Sequence, residues 1–137
     1  GTGLAPLRGM YLHLEHLRAS GAELGHNVLV FGCRTPCDDY LYQEEIEEMV
    51  KKGTVRTLHT AFSRAVPGQR VYVQDRVREH AESLLALLDS GAFFYVCGLT
   101  AMAKDVKKAL TQGLVELRGV SGGEAEAYLE RLHAEGR

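Results

Sequence analysis

Several features that would mark other classes of protein are scarce in this sequence. Only three cysteines occur among 137 residues, and this small odd number argues against a secreted disulfide framework and favours a reducing, intracellular compartment. No apolar run is long enough to span a bilayer, so no direct membrane contact is expected from this chain. The net charge of -2 argues against nucleic-acid binding, which usually needs a basic face. What remains is an ordinary globular composition, with 45% hydrophobic and 25% charged residues.

Strand-like and helical segments alternate along the chain. Residues 27–31 and 92–97 are short runs that are apolar throughout, as in strands buried on both faces, and residues 55–62 are β-rich. Strands that alternate with helices are typical of a mostly parallel sheet. We therefore predict an α/β fold, a three-layer α/β/α Rossmann-like parallel sheet, as a single domain over residues 1–137. Both ends are expected to be truncated, because the first turn would normally follow a buried strand and the chain ends at Gly136-Arg137, directly after a helix-like stretch.

Helical spacing of apolar residues predicts five helices between and after these strands. Asp38 and Asp39 are expected to cap the second helix, with Tyr42, Ile46 and Met49 facing inward. The five positions are residues 6–19, about 40–52, the stripe from Val77 to Leu88, the stripe from Met102 to Leu114, and the stripe from Ala125 to Leu132 after a capping box at 121–124.

The segment "AFSRAVPGQRVYVQ" follows the second predicted strand and carries the most unusual chemistry. Ligands of parallel sheets bind at the carboxyl ends of the strands, where Ser63 and Arg64 lie side by side. A hydroxyl beside a guanidinium suits a phosphate monoester. Arg70, Tyr72 and Gln74 come a short loop later, and an aromatic ring there would stack on a purine. A dinucleotide with an additional phosphate is NADP, whose 2′-phosphate is commonly held by arginine; a solvated loop with scattered polar residues is the alternative.

Three other strand-end segments carry weaker signals. The "GTG" turn that includes Gly3 is either a phosphate-approach loop or a plain turn, and it lacks the full dinucleotide fingerprint. Arg34 in "FGCR" is a candidate pyrophosphate ligand or an ordinary surface arginine. Cys97 in "YVCG" is by default a small buried hydrophobe, since no histidine is fixed near it.

Taken in order, these motifs resemble a known family. "GTGLAPLRG", "FGCR" followed by "YLYQEE", "AFSR" followed by "RVYVQ", and "YVCG" followed by "MAKDV" are similar, in order and spacing over nearly the whole chain, to the C-terminal NADPH-binding domain of diflavin reductases. Diflavin reductases are themselves similar to ferredoxin-NADP reductase, and the NADPH-cytochrome P450 reductase branch looks most similar to this chain.

The resemblance implies roles for the residues that match its motifs. Ser63, Arg64 and Arg70 would hold the 2′-phosphate, Tyr72 would stack on the adenine, and Gln74 would bond near it. Four further residues would also line the nucleotide or the reacting centre: Thr2 and Gly3 along the pyrophosphate and nicotinamide, Arg34 at the pyrophosphate, and Asp105 along the nucleotide site. Cys97 would lie near the nicotinamide and assist hydride transfer.

The resemblance also implies cofactors and partners that lie outside this chain. NADPH would bind this domain, FAD and FMN would bind other domains of the same parent protein, and electrons would pass to a cytochrome P450 or another haemoprotein. The parent would be intracellular and cytoplasmic, with an endoplasmic-reticulum anchor as one option. The isolated fragment is not expected to be active.

One departure from the family pattern keeps a second hypothesis open. Leu99 stands where the family usually has an acid, in a turn one residue shorter, and an acid there would favour the positive charge that develops as hydride leaves. An NADP(H)-binding sensor or scaffold with little turnover is therefore the alternative to a reductase.

Overall fold

The computed structural model describes residues 3–137, and its elements follow the predicted alternation. In chain order they are α1 (Leu4–Ala19), β1 (Val28–Cys33), α2 (Gln43–Lys52), β2 (Thr57–Phe62), α3 (Val73–Glu79), α4 (Ala81–Asp89), α5 (Thr100–Arg118) and α6 (Gly122–Ala134). The chain divides into two compact units, one that ends at Val73 and one that begins at Gln74. The single domain over residues 1–137 stays a prediction.

The first unit is built around a βαβ motif. Strands β1 and β2 pair in parallel, with Val28 opposite Thr57 and Cys33 opposite Phe62, and α2 lies between them in the chain. Parallel pairing needs a crossover connection of this kind, which the alternating pattern of the sequence indicates. The predicted α/β class is confirmed.

The core of the first unit joins α1, β1 and α2. Its buried members are Leu4, Tyr11, Leu29, Phe31, Ile46, Met49 and Val55. The Tyr11 hydroxyl donates a hydrogen bond of 2.9 Å to the Val28 carbonyl, and so ties α1 to the start of β1. Burial raises the pKa of Tyr11 to about 12, because the phenolate would be poorly solvated there.

Helix α2 begins later than the sequence predicts. Its N-cap is Tyr42, in a left-handed conformation with φ 57° and ψ 32°, and not Asp38 or Asp39. Asp38 instead accepts a hydrogen bond of 2.9 Å from the Thr35 hydroxyl. The inward orientation of Tyr42 is wrong as well, since its side chain is exposed, whereas the predicted burial of Ile46 and Met49 is confirmed.

The second unit holds two helices where the sequence predicts one between residues 77 and 88. His80 leaves the helical region, with φ -108° and ψ 21°, and separates α3 from α4. No proline or glycine marks this break. Further along, α5 packs closely on α4, and α6 begins with the predicted capping box, in which the Ser121 hydroxyl and the Glu124 backbone and side chain bond reciprocally.

The prediction of a third strand at residues 92–97 is wrong. Residues 92–97 belong to no strand, although Phe93 and Tyr95 are exposed while Ala92 and Phe94 are half-buried, an alternation typical of a strand. A strand requires a hydrogen-bonded neighbour as well as an apolar pattern. Here the Ala92 carbonyl accepts instead from the Arg137 guanidinium, and the Ala92 N–H donates to Leu87.

Candidate functional site

The carboxyl ends of β1 and β2 bring three of the predicted residues together. Beyond the last strand pair, the Ser63 N–H donates to the Cys33 carbonyl at 3.0 Å and the Arg64 N–H donates to the Arg34 carbonyl at 2.8 Å. These bonds continue the pairing by one residue beyond β1, at Arg34, and by two residues beyond β2, at Ser63 and Arg64. Arg34, Ser63 and Arg64 therefore lie side by side at one edge of the sheet, where the sequence analysis expects an anion.

The loop after β2 returns to the same edge. Val66, Pro67, Gly68 and Gln69 form a tight turn, closed by a bond of 3.1 Å from the Gln69 N–H to the Val66 carbonyl. Gly68 has φ 78°, which suits the third position of a type II turn after proline. The turn lets the chain double back on itself.

The returning segment carries Arg70 and Tyr72 to the end of β2. The N–H of Val71, which lies between them, donates to the Phe62 carbonyl at 3.4 Å. The backbones of Arg70 and Tyr72 therefore lie next to the residue that precedes Ser63. The structure thus places five of the predicted residues around the ends of two adjacent strands.

Gly32 leaves space for the Val73 side chain, a contact that was not predicted from the sequence. A Cβ atom at this position would lie 2.8 Å from Val73 Cγ1, closer than two carbon atoms can approach. Val73 follows Tyr72 and begins α3, so the absent side chain of Gly32 lets this segment pack against the end of β1. The glycine in "FGCR" is the signal that could have indicated this close packing.

The electrostatics of this edge are mainly cationic. Arg34, Arg64 and Arg70 bring three guanidinium groups, and the Ser63 hydroxyl adds a further donor. Among residues 3–137, neither Arg64 nor Arg70 forms an ion pair, while the Arg34 Nε lies 3.5 Å from Asp39 Oδ2. A donor-rich, exposed arginine cluster fits phosphate oxygens, which accept hydrogen bonds and carry negative charge.

Asp39 also lies at this edge of the sheet, and its contact with Arg34 was not predicted from the sequence. The sequence predicts that Asp39 caps a helix, whereas in the structure its carboxylate pairs with the Arg34 guanidinium. Sequence spacing alone does not distinguish these roles, because both need an acid shortly after the strand.

The N-terminal part of the predicted site is described only in part. Thr2 lies outside the described residues. Gly3 is the N-cap of α1, and the first turn of that helix contains no acidic residue. An unopposed helix N-terminus favours an anion, in line with the role predicted for this turn.

Three predicted residues belong to the second unit. Gln74 lies in α3 and is half-buried, Asp105 is exposed on α5, and Cys97 is a half-buried free thiol just before α5. The packing of Gly98 is tight, because a Cβ there would lie 2.8 Å from the Met102 methyl carbon. The absent side chain of Gly98 therefore leaves room for the end of the Met102 side chain beside Cys97.

A cleft of about 340 Å³ also lies in the second unit. It is lined by apolar side chains of α4, α5 and α6, by Phe94 and Val96, and by the charged side chains of Lys107, Glu130 and Arg137. None of the predicted site residues lines it.

No helix among residues 3–137 is both long and apolar enough to cross a bilayer.

A βαβ unit with arginine and serine donors at its strand ends is typical of α/β domains that bind nucleotides. Residues 1–108 match the family described as the oxidoreductase NAD-binding domain, and the chain belongs to this family.

Curated relatives match the chain over its whole length. It is 42% identical to a bifunctional cytochrome P450/NADPH–P450 reductase of Bacillus cereus, 40% identical to an NADPH–cytochrome P450 reductase of Oryctolagus cuniculus, and 38% identical to an inducible nitric oxide synthase of Cavia porcellus. In each case the match covers 100% of this chain, but only 13%, 20% and 12% of the respective relative. The resemblance to diflavin reductases is confirmed, and the chain spans only a small part of the length of these relatives.

Proposed function

We propose that this chain binds NADPH and that Ser63, Arg64 and Arg70 select it over NADH by holding the 2′-phosphate. The observation that carries the proposal is the backbone bonding beyond β1 and β2, which aligns Ser63 and Arg64 with Cys33 and Arg34. Two exposed guanidinium groups without a described carboxylate partner remain available to a phosphate. The donor set therefore suits a dianionic group at this position.

The remaining proposed contacts are to the pyrophosphate and to the adenine of the nucleotide. Arg34, Thr2 and Gly3 would bind the pyrophosphate, with the N-terminus of α1 favouring its negative charge. Tyr72, whose ring is exposed, would stack on the adenine. Gln74 and Asp105 are proposed as further nucleotide contacts.

Cys97 is proposed as the residue next to the reacting carbon. When bound, NADPH supplies the hydride that a flavin accepts. The half-buried Cys97 thiol would pack beside the nicotinamide ring and orient it, so its contribution is one of positioning.

For the whole protein, we propose a flavoprotein oxidoreductase in which hydride passes to FAD and electrons pass through FMN to a cytochrome P450 or another haemoprotein. Relatives named as reductases, synthases and monooxygenases support this function and do not favour the sensor alternative. The FAD- and FMN-binding domains of the same protein would be the direct partners of this domain. The three free cysteines fit an intracellular, reducing location.

Replacement of Arg64 or Arg70 by alanine tests the 2′-phosphate assignment. Hydrogen bonds to charged groups contribute roughly 1.5–3 kcal/mol, so each variant should weaken NADP⁺ binding about tenfold or more. Binding of NAD⁺, which lacks the 2′-phosphate, should change little. Titration calorimetry of the full-length protein with both nucleotides provides the measurement, and equal losses for both would refute the assignment.

A further inference from the structure

Arg8, in the second turn of α1, makes a two-sided contact with the start of α2. Its Nε lies 2.7 Å from Glu45 Oε1 and its Nη2 lies 2.7 Å from Glu45 Oε2, which is a bidentate pair. The same guanidinium stands 4.5 Å above the centroid of the Tyr42 ring. Only arginine has the planar fork that satisfies both partners at once.

The residue beneath this guanidinium has an unfavourable backbone. Tyr42 is the one non-glycine residue in the described part of the chain with positive φ, at 57°. A bulky side chain rarely adopts this conformation, which persists only where surrounding contacts hold it. The Arg8 stacking contact and the bond from the Ile46 N–H to the Tyr42 carbonyl, at 2.9 Å, are such contacts.

Tyr42 ends the loop of residues 34–42, which begins with Arg34. Within this loop the Leu41 N–H donates to the Asp39 carbonyl at 2.9 Å, and the Asp39 carboxylate pairs with Arg34 at 3.5 Å. The Tyr40 ring stacks on Phe31 with a centroid distance of 4.9 Å. The loop is therefore anchored at its middle by the core and at its end by Arg8.

We propose that Arg8 is a positioning residue of the nucleotide site: by clamping Tyr42 and Glu45 it fixes the 34–42 loop, so that Asp39 holds Arg34 at the end of β1. This inference rests on the proposed function, because Arg34 is the pyrophosphate ligand there. Arg8 acts through the pyrophosphate contact, which NADP⁺ and NAD⁺ share. Its loss should weaken both nucleotides equally, unlike the loss of Arg64.

A double-mutant cycle in the full-length protein tests this coupling, with dissociation constants for NADP⁺ and NAD⁺ measured by calorimetry. Arg8→Ala should weaken the binding of each nucleotide by about fivefold, within the range found for coupled residues. In an Arg34→Ala background the same change should have almost no further effect. A change in Arg8 that acted only through general stability would weaken binding equally in both backgrounds, and this additive result would overturn the proposal.

Three further variants keep the result interpretable. Arg8→Lys retains the charge but not the fork, and Glu45→Gln breaks the pair from its other side, so each should reproduce the Arg8→Ala loss and its coupling to Arg34, even where Arg8→Ala fails to fold. Arg78→Ala removes a different exposed ion pair, to Glu116 at 3.0 Å, and should leave both dissociation constants unchanged. Retained affinity in the Lys and Gln variants would overturn the inference alone. Failure of the unaltered protein to bind NADP⁺ would overturn both the inference and the proposed function.

Discussion

At the scale of single residues, chemistry and conformation make separate demands on this chain. Arg64 and Arg70 are exposed, so their guanidinium groups can meet a ligand without a change in the packing of the core. Leu99 is an apolar residue in an exposed position. It is 79% exposed at the N-cap of α5, and its side chain accepts no hydrogen bond from the helix. The first turn of a 19-residue helix therefore begins without a side-chain cap.

Substitution of Leu99 by aspartate should stabilise the protein. The Asp carboxylate would accept a hydrogen bond from the first turn of α5 and interact favourably with the positive end of the helix dipole. An increase of about 1 kcal/mol in the free energy of unfolding is expected from N-cap preferences. Urea unfolding followed by circular dichroism measures it, with Leu99→Ala as the control that removes the leucine without adding a cap. An unchanged midpoint for Leu99→Asp relative to Leu99→Ala would contradict the prediction.

At the scale of elements, close approach between helices decides which small residues are required. Gly113 of α5 faces Ala81 of α4, and a Cβ at Gly113 would lie 2.6 Å from Ala81 Cβ. Gly9 of α1 also lies inside a helix, but a Cβ there would meet nothing within 4 Å. The two glycines look alike in the sequence and differ only in what packs against them.

The substitutions Gly113→Ala and Gly9→Ala should therefore have opposite effects. Overpacking at Gly113 should lower the free energy of unfolding by about 1–3 kcal/mol, because the helices must move apart. At Gly9 the added methyl group should raise it by about 0.5–1 kcal/mol, because alanine loses less conformational freedom in a helix. Chemical denaturation of both variants gives the comparison, and a loss of stability at both positions would show that helix packing is not the cause.

Prediction of the elements from sequence succeeded where a pattern has a single physical cause. The capping box at Ser121 and the buried face of α2 at Ile46 and Met49 were predicted because local bonding and helical periodicity are sufficient. The left-handed Tyr42 was not predicted, because its conformation depends on Arg8 from another helix. The prediction of a strand at residues 92–97 failed for a similar reason. A strand requires a hydrogen-bonded partner, and the side-chain pattern does not identify one.

At the scale of the whole molecule, the chain spans only 12–20% of the length of the relatives that it matches. The proposed division of labour gives nucleotide choice to the edge formed by β1 and β2. It gives orientation of the reacting ring to Cys97. Steady-state kinetics should distinguish these two roles. Loss of a nucleotide-binding residue should raise KM, and loss of Cys97 should lower kcat.

The full-length protein, loaded with flavin, should reduce ferricyanide with NADPH, and Cys97→Ala should slow this reaction. A misplaced nicotinamide lowers kcat by about tenfold to a hundredfold, whereas KM should change little because the phosphate contacts persist. Arg64→Ala serves as the reciprocal control, with a raised KM for NADPH. Nucleotide binding without any ferricyanide reduction would instead favour the sensor alternative.

The sequence by itself determined the α/β class, the order of the motifs and the residue types at the strand ends. These features depend on residues that lie within a few positions of one another along the chain. Tertiary structure alone decided which of these residues meet. The bonds from Ser63 to Cys33 and from Arg64 to Arg34 join segments about thirty residues apart, and the Arg8 clamp on Tyr42 joins two helices. Such contacts depend on register and packing between elements, and no local pattern specifies them.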